Sequence, residues 1–280
     1  MDKIDTLVIS GGGPSGIAYL GVFKGLYEKK IIRKNLEGIK EIISCSIGFL
    51  PAFLFSISDN YTMWTEIVES ANLSAIVNTD DISLDKLLNG KGLFSNQLLY
   101  DICESILNNI YQKKTITLKE LYDLTNIKLT TKVYNITKRI VEYISHENYP
   151  ELDVKLVAKM TTSIPLFFEP VEYNGCIYVD GGIRGSYPIE KCNSKNYLGL
   201  FIIGGMSLNE STNIPLINQM ISIACDQDLS YYKKDDRELR FEINNGWDFD
   251  MTKEKRKEII DKGYKLTLEQ AGKFIQSIED

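Results

Sequence analysis

Asp5-Thr-Leu-Val-Ile-Ser-Gly-Gly-Gly-Pro-Ser-Gly16 is a short β-branched run that breaks off into three consecutive glycines. Behind it Ile17, Leu20, Phe23, Leu26 and Tyr27 recur at helical spacing as far as Lys29. A β-branched run bounded by glycine reads as a strand, and apolar residues every three to four positions read as an amphipathic helix. The same grammar returns at once: Ile39 to Ser44 is a second β run, Cys45-Ser-Ile-Gly48 is a tight turn, and Phe49 to Ser58 is an apolar helical segment. Pro51 suits the first turn of that helix, where its missing N–H costs little. Two strand-turn-helix units in succession predict a parallel sheet with crossover helices. Both turns then lie at the carboxyl ends of their strands and open onto one rim.

Outward from these units the middle of the chain reads as helices and polar connectors: Met63 to Ser70, Ser83 to Leu88, Asn96 to Tyr111 and Leu118 to Leu124, with Gly90 and Gly92 marking a loop. The pattern turns β-branched again at Lys128 to Tyr134, Arg139 to Ser145 and Asp153 to Val157, and Cys176 to Val179 and Leu198 to Ile203 are expected to be buried strands. The sheet is therefore expected to resume after a helical insertion. Further on, an amphipathic stretch at Ile214 to Tyr232 and a charged segment at Lys233 to Arg240 precede a short strand, Leu239 to Ile243, and a final helix, Lys253 to Ile278. Without a repeat, a low-complexity tract or a Pro-Ser linker, residues 1–280 are expected to form one domain, near the upper size for a single core.

Composition excludes several classes. A net charge of -6 argues against a phosphate-tracking nucleic-acid surface, which needs an excess of Lys and Arg. The five scattered cysteines include no Cys-x-x-Cys pair, so neither a disulfide framework nor a thiolate zinc site is suggested, and a reducing, cytoplasmic setting fits. Thr6 to Ser10 is too short for a signal-peptide core, and no stretch has the length of a membrane span, so any membrane contact is expected to be peripheral.

Three motifs carry candidate chemistry. Gly11-Gly-Gly-Pro-Ser-Gly16 matches the dinucleotide-binding fingerprint, but that reading needs an acid about 20 residues on, and the window holds Ile31-Ile-Arg-Lys34. Its other reading is an oxyanion hole, with Gly11, Gly12 and Gly13 as the donors because Pro14 has no N–H. Ser44-Cys-Ser-Ile-Gly48 resembles a Gly-x-Ser-x-Gly nucleophile elbow with Ser in place of the first glycine. Asp180-Gly-Gly182, after the apolar Cys176 to Val179, can present a carboxylate to a neighbouring hydroxyl or can be an ordinary Asp-Gly turn.

In this order the three motifs, with Pro165, Phe168 and Pro170 in the run Ala158 to Val171, resemble the patatin-like phospholipases. The likeness spans roughly residues 5–204, with residues 205–280 as a helical C-terminal extension and a weaker echo near Lys253 to Thr267. The resemblance implies a three-layer α/β sandwich around a mostly parallel sheet. It implies a Ser-Asp dyad of Ser46 and Asp180 without metal or cofactor, acting on phospholipid, lysophospholipid or galactolipid esters at a membrane surface. Two positions depart from the family pattern. Ser15 stands where the family usually has Arg or Lys, and Ser44 replaces the elbow's first glycine; both leave open a catalytically silent lipid-binding module. The only histidine, His146 in Ile144-Ser-His-Glu-Asn-Tyr149, is expected to be a solvated surface residue and not the base of a triad.

Overall fold

The computed structural model describes residues 4–72, 92, 94–203, 235–243 and 251–279. Strands β1 (Thr6–Ile9), β2 (Glu41–Cys45), β3 (Lys128–Asn135), β4 (Ile140–Ile144), β5 (Val171–Tyr173), β6 (Cys176–Asp180), β7 (Tyr197–Ile203) and β8 (Glu238–Glu242) form one sheet. Its order is β5-β6-β3-β2-β1-β7-β8, with β4 also paired to β3. The run β3-β2-β1-β7-β8 is parallel throughout, and β4, β5 and β6 are antiparallel additions. The helices are α1 (Ala18–Glu28), α2 (Phe49–Ile57), α3 (Tyr61–Ser70), α4 (Gln97–Tyr111), α5 (Leu118–Thr125), α6 (Val154–Thr162) and α7 (Lys253–Glu279). This mixed, mostly parallel sheet flanked by helices is the α/β architecture expected from the two opening units.

Alternation along the strands sorts side chains between the two faces. Leu7, Ile9 and Ile42 join the large core to which every named helix contributes, whereas Val8 and Ile43 meet Tyr187, Tyr197 and Phe201 on the other face. Burying apolar area of this kind supplies most of the drive to fold. Helix α7 docks on α1 so closely that a Cβ added at Gly21 would lie 1.9 Å from the Ile260 carbonyl oxygen. Only glycine admits that approach.

Two local expectations change. Residues 153–157 are not a strand: Asp153 is the N-cap of α6, its carboxylate accepting the Lys155 N–H at 2.8 Å. Val154, Val157, Ala158 and Thr161, at helical spacing, are fully buried. A strong cap and a 3–4 period outweigh the β propensity of two valines. The hairpin β5–β6 is an addition; Asn174 (φ 48°) and Gly175 (φ 71°) make the left-handed two-residue turn that an Asn-Gly pair favours. The expected helix at Ser83 to Leu88, the loop glycine Gly90 and the amphipathic stretch at Ile214 to Tyr232 lie outside the described residues.

Candidate active site

Strand β3 explains how residues so far apart in sequence meet. One of its edges is occupied by β4 from Thr131 to Asn135. The other edge is shared: β2 pairs with it from Lys128 to Lys132 and β6 from Val133 to Asn135. Parallel β2 arrives at Lys132 with Cys45, antiparallel β6 arrives at Val133 with Asp180, and the two strands meet end to end. The next residue of β2 is Ser46. Its Oγ donates to Asp180 Oδ2 at 2.5 Å.

Ser46 has φ 53°, the left-handed region, which costs a residue with a Cβ about 1–2 kcal/mol. Such strain persists only where the surroundings over-determine it. Here the Ser46 N–H donates to Thr161 Oγ1 of α6 at 2.9 Å, and Thr161 donates to the Lys132 carbonyl at 2.9 Å. A Cβ on Gly48 would lie 2.5 Å from the Ser10 carbonyl oxygen, so the end of β1 passes directly against the elbow. Ser44, in place of the usual glycine, is accommodated: its hydroxyl donates to the Thr130 carbonyl at 3.3 Å inside the sheet.

Asp180 is fully buried, and burial pushes its carboxyl up to about 7 against the opposing pull of hydrogen bonds from Ser46 and the Gly182 N–H and of the Lys132 charge. The Gly182 N–H donates to Oδ1 at 2.7 Å, leaving Oδ2 for the serine. The Cys45 thiol lies 4.0 Å from Oδ1. The turn after Asp180 is tied down by Lys132, whose buried ammonium donates to the carbonyls of Arg184 (2.8 Å) and Gly185 (2.9 Å) and to Glu190 (2.6 Å). Neither Thr161 nor Lys132 was anticipated as part of the site. A lysine inside a β-branched run is a visible oddity; Thr161 offers no comparable signal.

The glycine turn faces the elbow, since a Cβ on Gly11 would lie 3.0 Å from Ser46 Cβ. Its three candidate donors are not equivalent. The Gly11 N–H already donates to the Ser186 carbonyl at 2.9 Å. Gly12 and Gly13 open the 3-10 turn Gly13–Ile17 with N–H groups that have no partner among the described residues. The end of β2, where a dinucleotide fold presents its ribose-binding acid, instead presents Cys45 and Ser46. Ser15 is fully buried, with its hydroxyl 3.4 Å from the Ile243 carbonyl.

From Ser46 and Gly13 an apolar channel with a cavity volume of about 120 Å³ opens between α1, α2, α3 and α4. Its walls include Leu20, Leu54, Val68, Ile102, Phe168 and Met251, and among the described residues no charged side chain lines it. His146 takes no part in this arrangement. Rather than being fully solvated, it is half-buried and stacked on Tyr122 at 3.9 Å between ring centroids, which lowers its pKa chiefly by desolvation.

A serine on a left-handed strand-to-helix turn, facing a buried carboxylate and backed by a glycine turn, defines a protein of the nucleophile-elbow class. Within that class the chain belongs to the patatin-like phospholipase family, whose model matches residues 7–192. It is 31% identical over 191 residues to the "Probable lipid hydrolase 463L" of Invertebrate iridescent virus 6, a match covering 66% of this chain and 62% of that protein. The chain thus spans less than two thirds of that relative's length. Among solved structures, VipD from Legionella pneumophila superposes with a TM-score of 0.62 at 17% identity, covering 96% of this chain and 67% of VipD. Full-length ExoU, in its complex with SpcU from Pseudomonas aeruginosa, gives 0.54 at 14% identity over 98% of this chain and 53% of that one. At such identities these two likenesses concern the fold.

Proposed function

We propose that the chain is a lipid acyl ester hydrolase of the phospholipase A or lysophospholipase type, with Ser46 as nucleophile and Asp180 as its base. The observation that carries this reading is the 2.5 Å hydrogen bond from Ser46 Oγ to Asp180 Oδ2 at the head of an apolar channel. Ser46 Oγ attacks the ester carbonyl carbon and passes its proton to Asp180. The carbonyl oxygen, now carrying the charge, is held by the Gly12 and Gly13 N–H groups. Collapse of the tetrahedral intermediate breaks the ester bond, and Asp180 returns the proton to the departing alcohol. Water then attacks the acyl-serine, again giving its proton to Asp180, and the free acid leaves with Ser46 restored. A carboxyl titrating near 7 can both accept and return a proton at neutral pH.

The acyl chain lies in the channel and the polar headgroup remains outside. Leu166, exposed and left-handed (φ 69°) between channel residues Ile164 and Phe168, supplies apolar surface at that mouth for peripheral contact with lipid. No described helix is long and apolar enough to cross a membrane. Among the described residues no group of three or more His, Cys, Asp or Glu side chains can hold a metal ion, and hydrolysis is expected to continue in excess chelator. The test is fluorophosphonate labelling and ester hydrolysis by wild type and Ser46→Ala. Labelling and turnover by wild type alone support the reading. A folded wild type that binds lipid but is neither labelled nor active favours the catalytically silent module instead.

A further inference from the structure

We infer that Arg256, on a C-terminal helix outside the family-matched residues, is a positioning residue that sets the channel's preference for acyl-chain length. The inference rests on the hydrolase reading above. Helix α3 forms one channel wall through Ile67, Val68 and, just beyond its end, Ala71. The last carbonyls of any helix lack intrahelical partners and carry the negative end of its dipole. At α3 two of them, those of Val68 and Ala71, are taken by a single nitrogen: Arg256 Nη1 donates to Val68 O at 2.8 Å and to Ala71 O at 2.5 Å. Lys253 adds an ion pair to Glu69 at 3.4 Å.

The placement of these cations argues that they serve α3. Lys253, Lys255 and Arg256 stand in the first turn of α7, where a positive charge opposes that helix's own dipole. Arg256 is nonetheless buried, and a buried guanidinium is retained only where it is paired. Its pairing is with the orphan carbonyls of α3. Met251, just before α7, lines the channel beside this wall. The α7 end of the chain therefore both furnishes part of the channel and bolts the α3 wall in place, while α7 itself is held by its close packing on α1. Among the described residues the side-chain bonds of Arg256 and Lys253 go to α3 and not to Ser46, Asp180 or the glycine turn, so the first acyl carbons are expected to meet the same chemistry with or without them.

The test compares p-nitrophenyl butyrate with p-nitrophenyl palmitate, in one detergent, for wild type, Arg256→Met, Arg256→Lys and Val68→Phe, with thermal melting of each. Arg256→Met keeps the apolar stem and removes both donated bonds; the expected result is a KM for palmitate raised roughly tenfold, the scale of a lost charge-assisted hydrogen bond. The butyrate kcat should be unchanged, and Arg256→Lys should restore part of the palmitate KM. Val68→Phe narrows the same wall without touching the bolt and should depress palmitate turnover more than butyrate. If Arg256→Met is too unstable to assay, the Lys and Phe variants decide. Equal effects on both esters, or none, in the folded variants overturn the inference while leaving the hydrolase reading intact. Absence of turnover by folded wild type on either ester instead removes the hydrolase reading and this inference with it.

Discussion

The turns carrying Ser46 and Asp180 stand face to face, yet they are held by opposite means. The Ser46 turn is local: a strand runs into a helix, the φ of 53° is enforced by backbone packed against Gly48, and a hydroxyl from α6 takes the loose N–H. The Asp180 turn is fastened from a distance, by the Lys132 ammonium on β3 that gathers the carbonyls of Arg184 and Gly185. The proposed nucleophile is thus positioned by steric strain and its proposed base by charge. Perturbing the first should cost activity outright, whereas perturbing the second should also move the pH dependence.

The largest expected effect is that of Ser46→Ala, which should remove ester hydrolysis by several orders of magnitude with little change in melting temperature, as measured by turnover and calorimetry. It even relieves nothing but a hydroxyl, since alanine meets the same left-handed penalty. Asp180→Asn should come next, losing nearly all activity while gaining stability above neutral pH. The sign follows from linkage. A carboxyl raised from the usual carboxylate range to about 7 binds its proton more tightly when folded. Its contribution to stability is therefore full at low pH and is lost as pH rises through 7, a loss of order ~4 kcal/mol. Urea melts at pH 5 and pH 8 should show that this component of the pH dependence vanishes in Asp180→Asn; an unaltered pH dependence would deny the carboxyl its raised pKa.

For the wild type, kcat/KM on a soluble ester should fall as pH drops through about 7, because protonated Asp180 cannot accept the serine proton. Lys132→Met should lower activity by about one to two orders of magnitude, within the range for loss of a positioning group. It should also shift that pH midpoint upward, since the Lys132 charge pulls the Asp180 pKa down. A loss of activity with the midpoint unmoved would reduce Lys132 to a mere structural tie. The smallest effect is expected for His146→Ala: near-normal turnover, with a modest stability loss from the stack on Tyr122. A dead but folded His146 variant would replace the dyad by a triad.

Much of this was legible in the sequence. The opening units, the elbow and the glycine turn rest on contiguous residues whose periods and turn chemistry speak for themselves. Residues 153–157 misled because Val154 and Val157 satisfy a β pattern as readily as a helical one, and only the cap at Asp153 settles it. The hairpin at Asn174-Gly175 carried a signature that could have been used. The unequal standing of Gly11, Gly12 and Gly13 had none, for it depends on the carbonyl of Ser186, a residue remote in sequence.

By itself the sequence determined which residues could do chemistry, because a strained turn, a run of N–H donors and a carboxylate each need particular side chains at particular local spacing. Only the tertiary structure decided that two of them lie within hydrogen-bond reach of one another. Ser46 and Asp180 meet because β2 and β6, running in opposite directions, share a single edge of β3. The carboxyl is raised because that meeting point is sealed from water. Strand order and burial are properties of the assembled sheet, set by hydrogen-bond register between distant segments, and no local pattern encodes them.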